Sequence, residues 1–452
     1  YFNPQSLPEL LAGGGATHAT GVQVNSDGTV TLTGSGLQLQ QGDVSSHQLQ
    51  AQTAVVFATG NLTLAESQLE TTGNLHLQAG NGVRVEDSPM NPVEVKVGRN
   101  LQIRGDRSVT LDLLNHPDSQ IEVQGNLMVV SEGNISLDGA LRSGRNLMIV
   151  NTASQPTGFQ SQNELALMAG GNVGFGNYTG GALRVDAVGE IAGGSISLTI
   201  AAEGHASPGG VYLSAGGSDT SPAPVNDSLE LSPGSISDTS HPPVNDSNDS
   251  LELSPGSIRV GEIAIAVPDR ALEIQAAGSI QTGSLSTDGG NIILSGGIQV
   301  TPGSISTDGG DITLSSAWGG IDTRGRTLDA SSSSNSEGGA IALTAENQII
   351  SGDLITQNNA IQINGPLNLL DASDAVTFRT TGSLPEAGGG TIQVTGTIDG
   401  NVQLNLEAGT GDVVLAGAIG NEVAIAGLSI DAQNIDLSST TTSQGPIAID
   451  AT

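Results

Sequence analysis

Apolar residues in this chain recur at every second position, in very short pieces bounded by Gly, Asn, Asp and Ser. Examples are "TVTLT", "LQLQ", "NLTLA", "NLHLQ", "VEVKV", "IALTA" and "IQING". Such a piece puts two apolar side chains on one face of a strand and polar ones on the other. Helical periodicity is confined to "SLPELLAG" at residues 6–13, enough for a turn or two. The pattern predicts an all-β chain of many short strands.

The spacing of the pieces predicts how they assemble. Apolar pairs fall at Val211/Leu213, Leu229/Leu231, Leu251/Leu253, Leu272/Ile274, Ile292/Leu294 and Ile312/Leu314, in steps of 18, 22, 21, 20 and 20. The ladder resumes at Ile341/Leu343 and Ile361/Ile363. A second ladder runs through Ile236, Ile258, Ile280 and Ile305, each after Gly-Ser, and "STDGG" recurs at 286 and 306. Earlier, Asn61, Asn74, Asn100 and Asn126 follow at steps of 13, 26 and 26. A period near 20 with several strands per period is the mark of a stacked repeat. The expected fold is therefore a parallel β-solenoid with rungs of about 20–26 residues. Coils about 4.8 Å apart would give on the order of 20 coils and a rod near 100 Å long.

Four segments are expected: 1–20 as a leader, cap or inter-subunit contact; 21–200 as a first solenoid segment; 201–258 as rungs with Pro/Ser/Asp-rich side loops; and 259–452 as continuing solenoid. The phrase "NDSLELSPGSI" occurs at 226–236 and again at 248–258. In the ladder its leucines, Leu229/Leu231 and Leu251/Leu253, are core layers. Its "SPGS" is a turn with Pro at the second position and Gly at the third, the type II preference. On composition alone, 201–258 also reads as a linker.

Composition narrows the function. Aromatics are 2% of the 452 residues and Gly numbers 64, so a wide core of large rings is excluded and a thin aliphatic core is not. Net charge is −33 and Lys96 is the only lysine. This rules strongly against a nucleic-acid partner and disfavours anionic membrane surfaces, because both need clustered cations. An acidic wall suits solubility, mutual repulsion of neighbouring rods and divalent cations. With no Cys, disulfide and thiol chemistry are excluded. No apolar run is long enough to span a membrane. The chain begins with Tyr1, which reads as a piece of a longer protein.

Three stretches carry a family resemblance. They are "LQAGNGVRVEDSPMNPVEVKVGRNLQIRGD", "GNYTGGALRVDAVGEI" and "STDGGDITLSSAWGGIDTRGRTLDASSSSNSEGGAIALTA". Over roughly 60–450 the chain resembles the filamentous-haemagglutinin-like surface proteins of cyanobacteria, which are similar to the secreted partner in two-partner secretion. The resemblance implies a right-handed β-helix, export across the outer membrane, and a surface, adhesive or filamentous role. The secretion domain of that family is not recognisable here.

Candidate chemistry is sparse. Polysaccharide-acting β-helix enzymes need clustered acids and aromatic platforms, whereas Tyr178, Tyr212, Trp318 and five Phe are spread along the chain. The six His have no metal-ligand spacing. His76 in "NLHLQ" falls at an outward strand position and is expected to be exposed. No catalytic motif appears in its required context, so the chain is not expected to be an enzyme. The period stacks Asp227 over Asp249 and Asp288 over Asp308, and such like charges would repel unless hydrogen bonds or a cation intervened. Asp227, Asp246, Asp249, Asp288, Asp308 and Asp311 are therefore the candidate Ca²⁺ ligands. The alternative is a hydrated acidic corner or an Asx-turn.

The ends carry the functional expectation. "IDLSSTTTSQGPIAIDAT" alternates like a rung to its last letters, without a helical or charged cap. Head-to-tail stacking of identical rods would be heterologous and would make a filament, with "YFNPQSLPELL" as the opposing contact. The expected function is a secreted subunit or shaft of an extracellular surface filament. The alternative is an adhesin stalk reading a surface ligand, such as a glycan, through side loops such as 201–250. A polysaccharide-acting enzyme is the distant third.

Overall fold

The computed structural model describes residues 18–19, 22–24, 30–32, 44–45, 48–58, 60–200, 210–216, 256–333, 337–370, 375–381, 388–438 and 441–451. The described residues hold strands and no helix. From residue 44 onward every named strand pairs in parallel with a strand of a neighbouring coil, forming a right-handed β-solenoid of about 14 turns.

A turn typically runs over three faces. Face 1 includes Leu62–Ala65, Gly82–Glu86 and Ser108–Asp112. Face 2 includes Gln68–Thr71, Glu94–Val97 and Gln120–Val123. Face 3 includes Leu75–Ala79, Leu101–Gly105 and Leu127–Val130. Faces 1 and 2 form one 30-stranded sheet because three long strands, Asn134–Ser143, Phe159–Ala169 and Tyr178–Ala187, run around the corner between them. Face 3 is a separate 14-stranded sheet. Fourteen coils at a spacing of about 4.8 Å make a rod of roughly 70 Å. That is the length over the described residues, and it is shorter than the period alone predicts for the whole chain.

The core is a set of aliphatic rows. On face 2, Val211, Leu272, Ile292, Ile312, Ile341, Ile361 and Ile392 stack in register and are all buried. Burying each such side chain stabilises the fold by about 1.5–3 kcal/mol, offset by the entropy of ordering it. Three aromatic rings meet in the core at one place. Phe159 meets Phe175 edge-on at 5.7 Å and lies 5.0 Å from Tyr178, whose hydroxyl donates to the Gly181 carbonyl at 3.1 Å.

The register corrects parts of the expected ladders. Val211–Ala215 pairs directly with Leu272–Ala276, so the stack passes from Leu213 to Ile274 in one step. Leu229/Leu231 and Leu251/Leu253, expected between them, lie outside the described residues. On face 3 the strand beginning at Ile258 follows Ile191. Gly216, which ends one described stretch, and Gly256, which opens the next, touch each other. A Cβ on either would sit 2.8 Å from the other's Cα, and both have positive φ, 75° and 77°. Of the "SPGS" turn at 254–257, this third-position glycine is described and has the expected sign. Ile258 and Ile280 do stack, but Ile305 belongs to face 1, where it pairs with Leu285. A Gly-Ser-Ile phrase can open either face because the strands of a turn share one local chemistry. "TVTLT" is not a rung either: Val30–Leu32 pairs antiparallel with Val22–Val24. "SLPELLAG" and "LQLQ" lie outside the described residues.

Buried hydroxyls pin the corners. In both "STDGG" copies the threonine points inward and its hydroxyl satisfies a glycine carbonyl, Thr287 to Gly290 and Thr307 to Gly310, each at 2.5 Å. Thr356 does the same to Asn359 at 2.6 Å. A buried hydroxyl is tolerated because it is paired.

Candidate functional site

The walls and the two ends are where this rod can meet other molecules. Along the corner leading into face 3 runs an amide ladder. The Asn74 side-chain oxygen accepts the Asn100 backbone N–H at 3.1 Å, and Asn100 accepts that of Asn126 at 2.9 Å. Asn126 accepts from Asn146 at 3.1 Å, Asn146 from Asn172 at 2.9 Å, and Asn172 from the Glu190 N–H at 2.9 Å. Asn61, expected in the same series, instead precedes the face 1 strand Leu62–Ala65. Asn is suited to this role because its carbonyl reaches the next coil while its amide group donates within the ladder.

Face 2 carries a second ladder of alternating sign. Glu70, Lys96, Glu122 and Arg142 stand opposite one another on successive coils. Lys96 donates to Glu94 at 3.0 Å. That hydrogen bond, together with Glu94, Glu122 and Glu70 around it, raises its pKa above the ordinary lysine value. A one-residue slip would set Lys96 opposite Leu69 or Thr71 instead of Glu70 and lose the opposite-charge pairing, so the ladder favours this register.

The structure gathers acids where the sequence did not point. Glu86, Asp112 and Asp138 are stacked in register at the end of face 1, beside Asp87. Asp87 and Asp138 are buried. Asp87 accepts the backbone N–H of Asn115 at 3.2 Å and of His116 at 2.8 Å. Asp138 accepts from the Ser161 hydroxyl at 2.7 Å and from the Gln162 and Asn163 N–H groups at 3.0 and 2.9 Å. Burial, then the charges of Asp87 and Asp138, push the Asp112 carboxyl above the usual carboxylate range. The missed signal was register: these residues share one corner only because their coils stack at a step of 26.

Among the expected calcium ligands, Asp227, Asp246 and Asp249 lie outside the described residues. Asp288 and Asp308 do occupy equivalent positions, flanked by the pairs Leu285–Ile305 and Ile292–Ile312. Asp308 accepts from the Ser333 N–H and hydroxyl at 2.6 and 3.0 Å. Asp311 accepts the Ala340 N–H at 2.8 Å and donates its own N–H to Asn291 at 2.8 Å. These carboxylates tie one coil to the next. Among the described residues no three His, Cys, Asp or Glu converge as a metal-binding group would.

His76 is a correction. It points outward from face 3, yet it is buried, with Gln102 of the next coil 3.2 Å from its Nδ1. Burial lowers its pKa below the ordinary histidine value. Alternation gives the direction of a side chain but not what lies over it.

The two ends differ. In the first full coil Leu49, Ala54 and Val56 are covered, at 3%, 3% and 1% exposure, and His18–Ala19 packs beside Gln48–Ala51. In the last coil Ile447 and Ile449 continue the row of Leu428 and Ile430. The older pair is 1% exposed and the last pair is 48% and 52% exposed. "YFNPQSLPELL" lies outside the described residues. No helix among the described residues is long and apolar enough to cross a membrane. No protein family, curated protein or solved structure matches the chain.

Proposed function

We propose that this chain is the shaft of an extracellular surface filament, a stiff spacer whose stack is continued by a second copy at the last described coil. The observation that carries the reading is the parallel stacking over about 14 turns, with aliphatic rows inside and hydrogen-bonded ladders along the wall. A rod of this kind resists bending because every coil is tied to its neighbours by backbone hydrogen bonds on three faces. Ile447 and Ile449 offer the next coil an apolar row in the same register. The contact is heterologous, between this open coil and the opposite end of the next copy, so it repeats without closing. The acidic wall, from a net charge of −33, keeps neighbouring rods apart.

Negative-stain imaging of the purified chain tests this. Fibres much longer than one rod of roughly 70 Å are expected. They should be lost on Ile449→Lys, which places a charge in the contact. Discrete rods of single length at every protein concentration overturn the assembly.

A further inference from the structure

The outward positions of face 2 change character along the rod. In the early coils they carry Glu70, Lys96, Glu122 and Arg142. In four successive coils farther on they are Ile293 and Ser295, Thr313 and Ser315, Ala342 and Thr344, then Gln362 and Asn364. None of these eight is charged, in a chain with 46 acidic residues. The Ser295 and Ser315 hydroxyls are hydrogen-bonded at 2.9 Å, and Thr344, Gln362 and Asn364 are exposed.

Beside this wall, at the corner between faces 2 and 3, stand two exposed apolar side chains on consecutive coils. Ile298 is 44% exposed and Trp318, the only tryptophan, is 78% exposed. The Trp318 N–H bonds to the Gly297 carbonyl at 2.9 Å. A Cβ on the following Gly319 would lie 1.6 Å from the Ile298 carbonyl oxygen. The backbone is therefore clamped to the coil below while the indole remains outside.

We infer that this wall binds a neutral β-1,4-linked polysaccharide chain, with one sugar ring stacked on Trp318 and its hydroxyls on the Ser, Thr, Gln and Asn rows. Such a chain is a flat, extended ribbon with C–H faces and hydroxyl edges. The wall is a run of parallel strands in register, repeats at about 4.8 Å and offers groups that both donate and accept. An indole supplies the apolar face such a ring needs. The lack of charge selects against anionic polysaccharides, which the acidic chain repels. The site is on the shaft wall, and it does not depend on how the rods assemble.

The single tryptophan makes the test direct. Cellohexaose, xylohexaose and chitohexaose are titrated against the full chain, following tryptophan emission and the heat of binding. A saturable emission change with at least one of the three is expected at submillimolar concentration. Trp318→Ala should weaken the heat-detected affinity at least tenfold, and Ser315→Asp several-fold, both with unchanged melting temperature. Saturation by none of the three overturns the inference. So does undiminished affinity in Trp318→Ala, or equal binding of polygalacturonate.

Discussion

The asparagine ladder gives the sharpest test of what holds the coils together. Asn100→Ala deletes three side-chain hydrogen bonds: from the Asn126 N–H at 2.9 Å, from the Asn126 amide at 3.1 Å, and to Asn74 at 3.2 Å. Each contributes about 0.5–1.5 kcal/mol net, and a half-buried N–H left unpaired adds a further penalty. The expected loss is about 2–4 kcal/mol, concentrated at the junction of the two coils because a solenoid couples mainly nearest neighbours. Hydrogen exchange at the Asn126 amide reads it locally, and every 1.4 kcal/mol is about tenfold. An acceleration of roughly 30- to 1000-fold is expected there, with little change at amides many coils away. Asn100→Asp keeps the acceptor oxygens and should accelerate exchange less. If the Asn126 amide in Asn100→Ala exchanges within twofold of the parent, the ladder does not hold the coils and the reasoning fails.

Four further outcomes follow from the same geometry. Ile430→Ala should cost about 2–5 kcal/mol in urea unfolding, as a buried cavity does, whereas Ile449→Ala in the next coil should cost under about 1 kcal/mol in isolated rods; equal losses would show that the last coil is already covered. The raised pKa of Asp112 means the folded chain holds that proton more tightly, so stability falls as pH rises from the ordinary carboxylate value through the raised one. Asp112→Asn should therefore melt higher than the parent at pH 7 and match it near pH 3. His76 has a lowered pKa, so stability should fall as pH drops below the ordinary histidine value, and His76→Gln should flatten that part of the melting profile. Gly256→Ala forces a side chain into positive φ and against Gly216, and should lower stability by about 1–3 kcal/mol; an unchanged melting temperature would refute the tight neck.

Much of the architecture was legible because a parallel solenoid writes its fold locally. A strand of two inward aliphatics, a Gly/Asn corner and a return after one turn are all short-range patterns, and pairs such as Leu272/Ile274, Ile292/Leu294 and Ile312/Leu314 stack as their spacing predicts. The candidate sites were legible only in part. Asp308 and Asp311 are at the expected corners, but their oxygens bond the next coil. The Asp87–Asp112–Asp138 corner and the uncharged wall beside Trp318 went unseen, since each is assembled from residues one turn apart.

By itself the sequence determined the strand period, the aliphatic rows, the acidic wall and the parallel stacking, since each depends on residue type at a fixed local spacing. Only the tertiary structure decided which strand follows which. Leu213 meets Ile274 rather than Leu231, Ile305 lies on face 1, and His76 is covered. The physical reason is degeneracy. Strands with the same alternation fit any face of any coil, and the choice is made by corner geometry, such as the Gly216–Gly256 neck, and by side-chain ladders that pair only in one register.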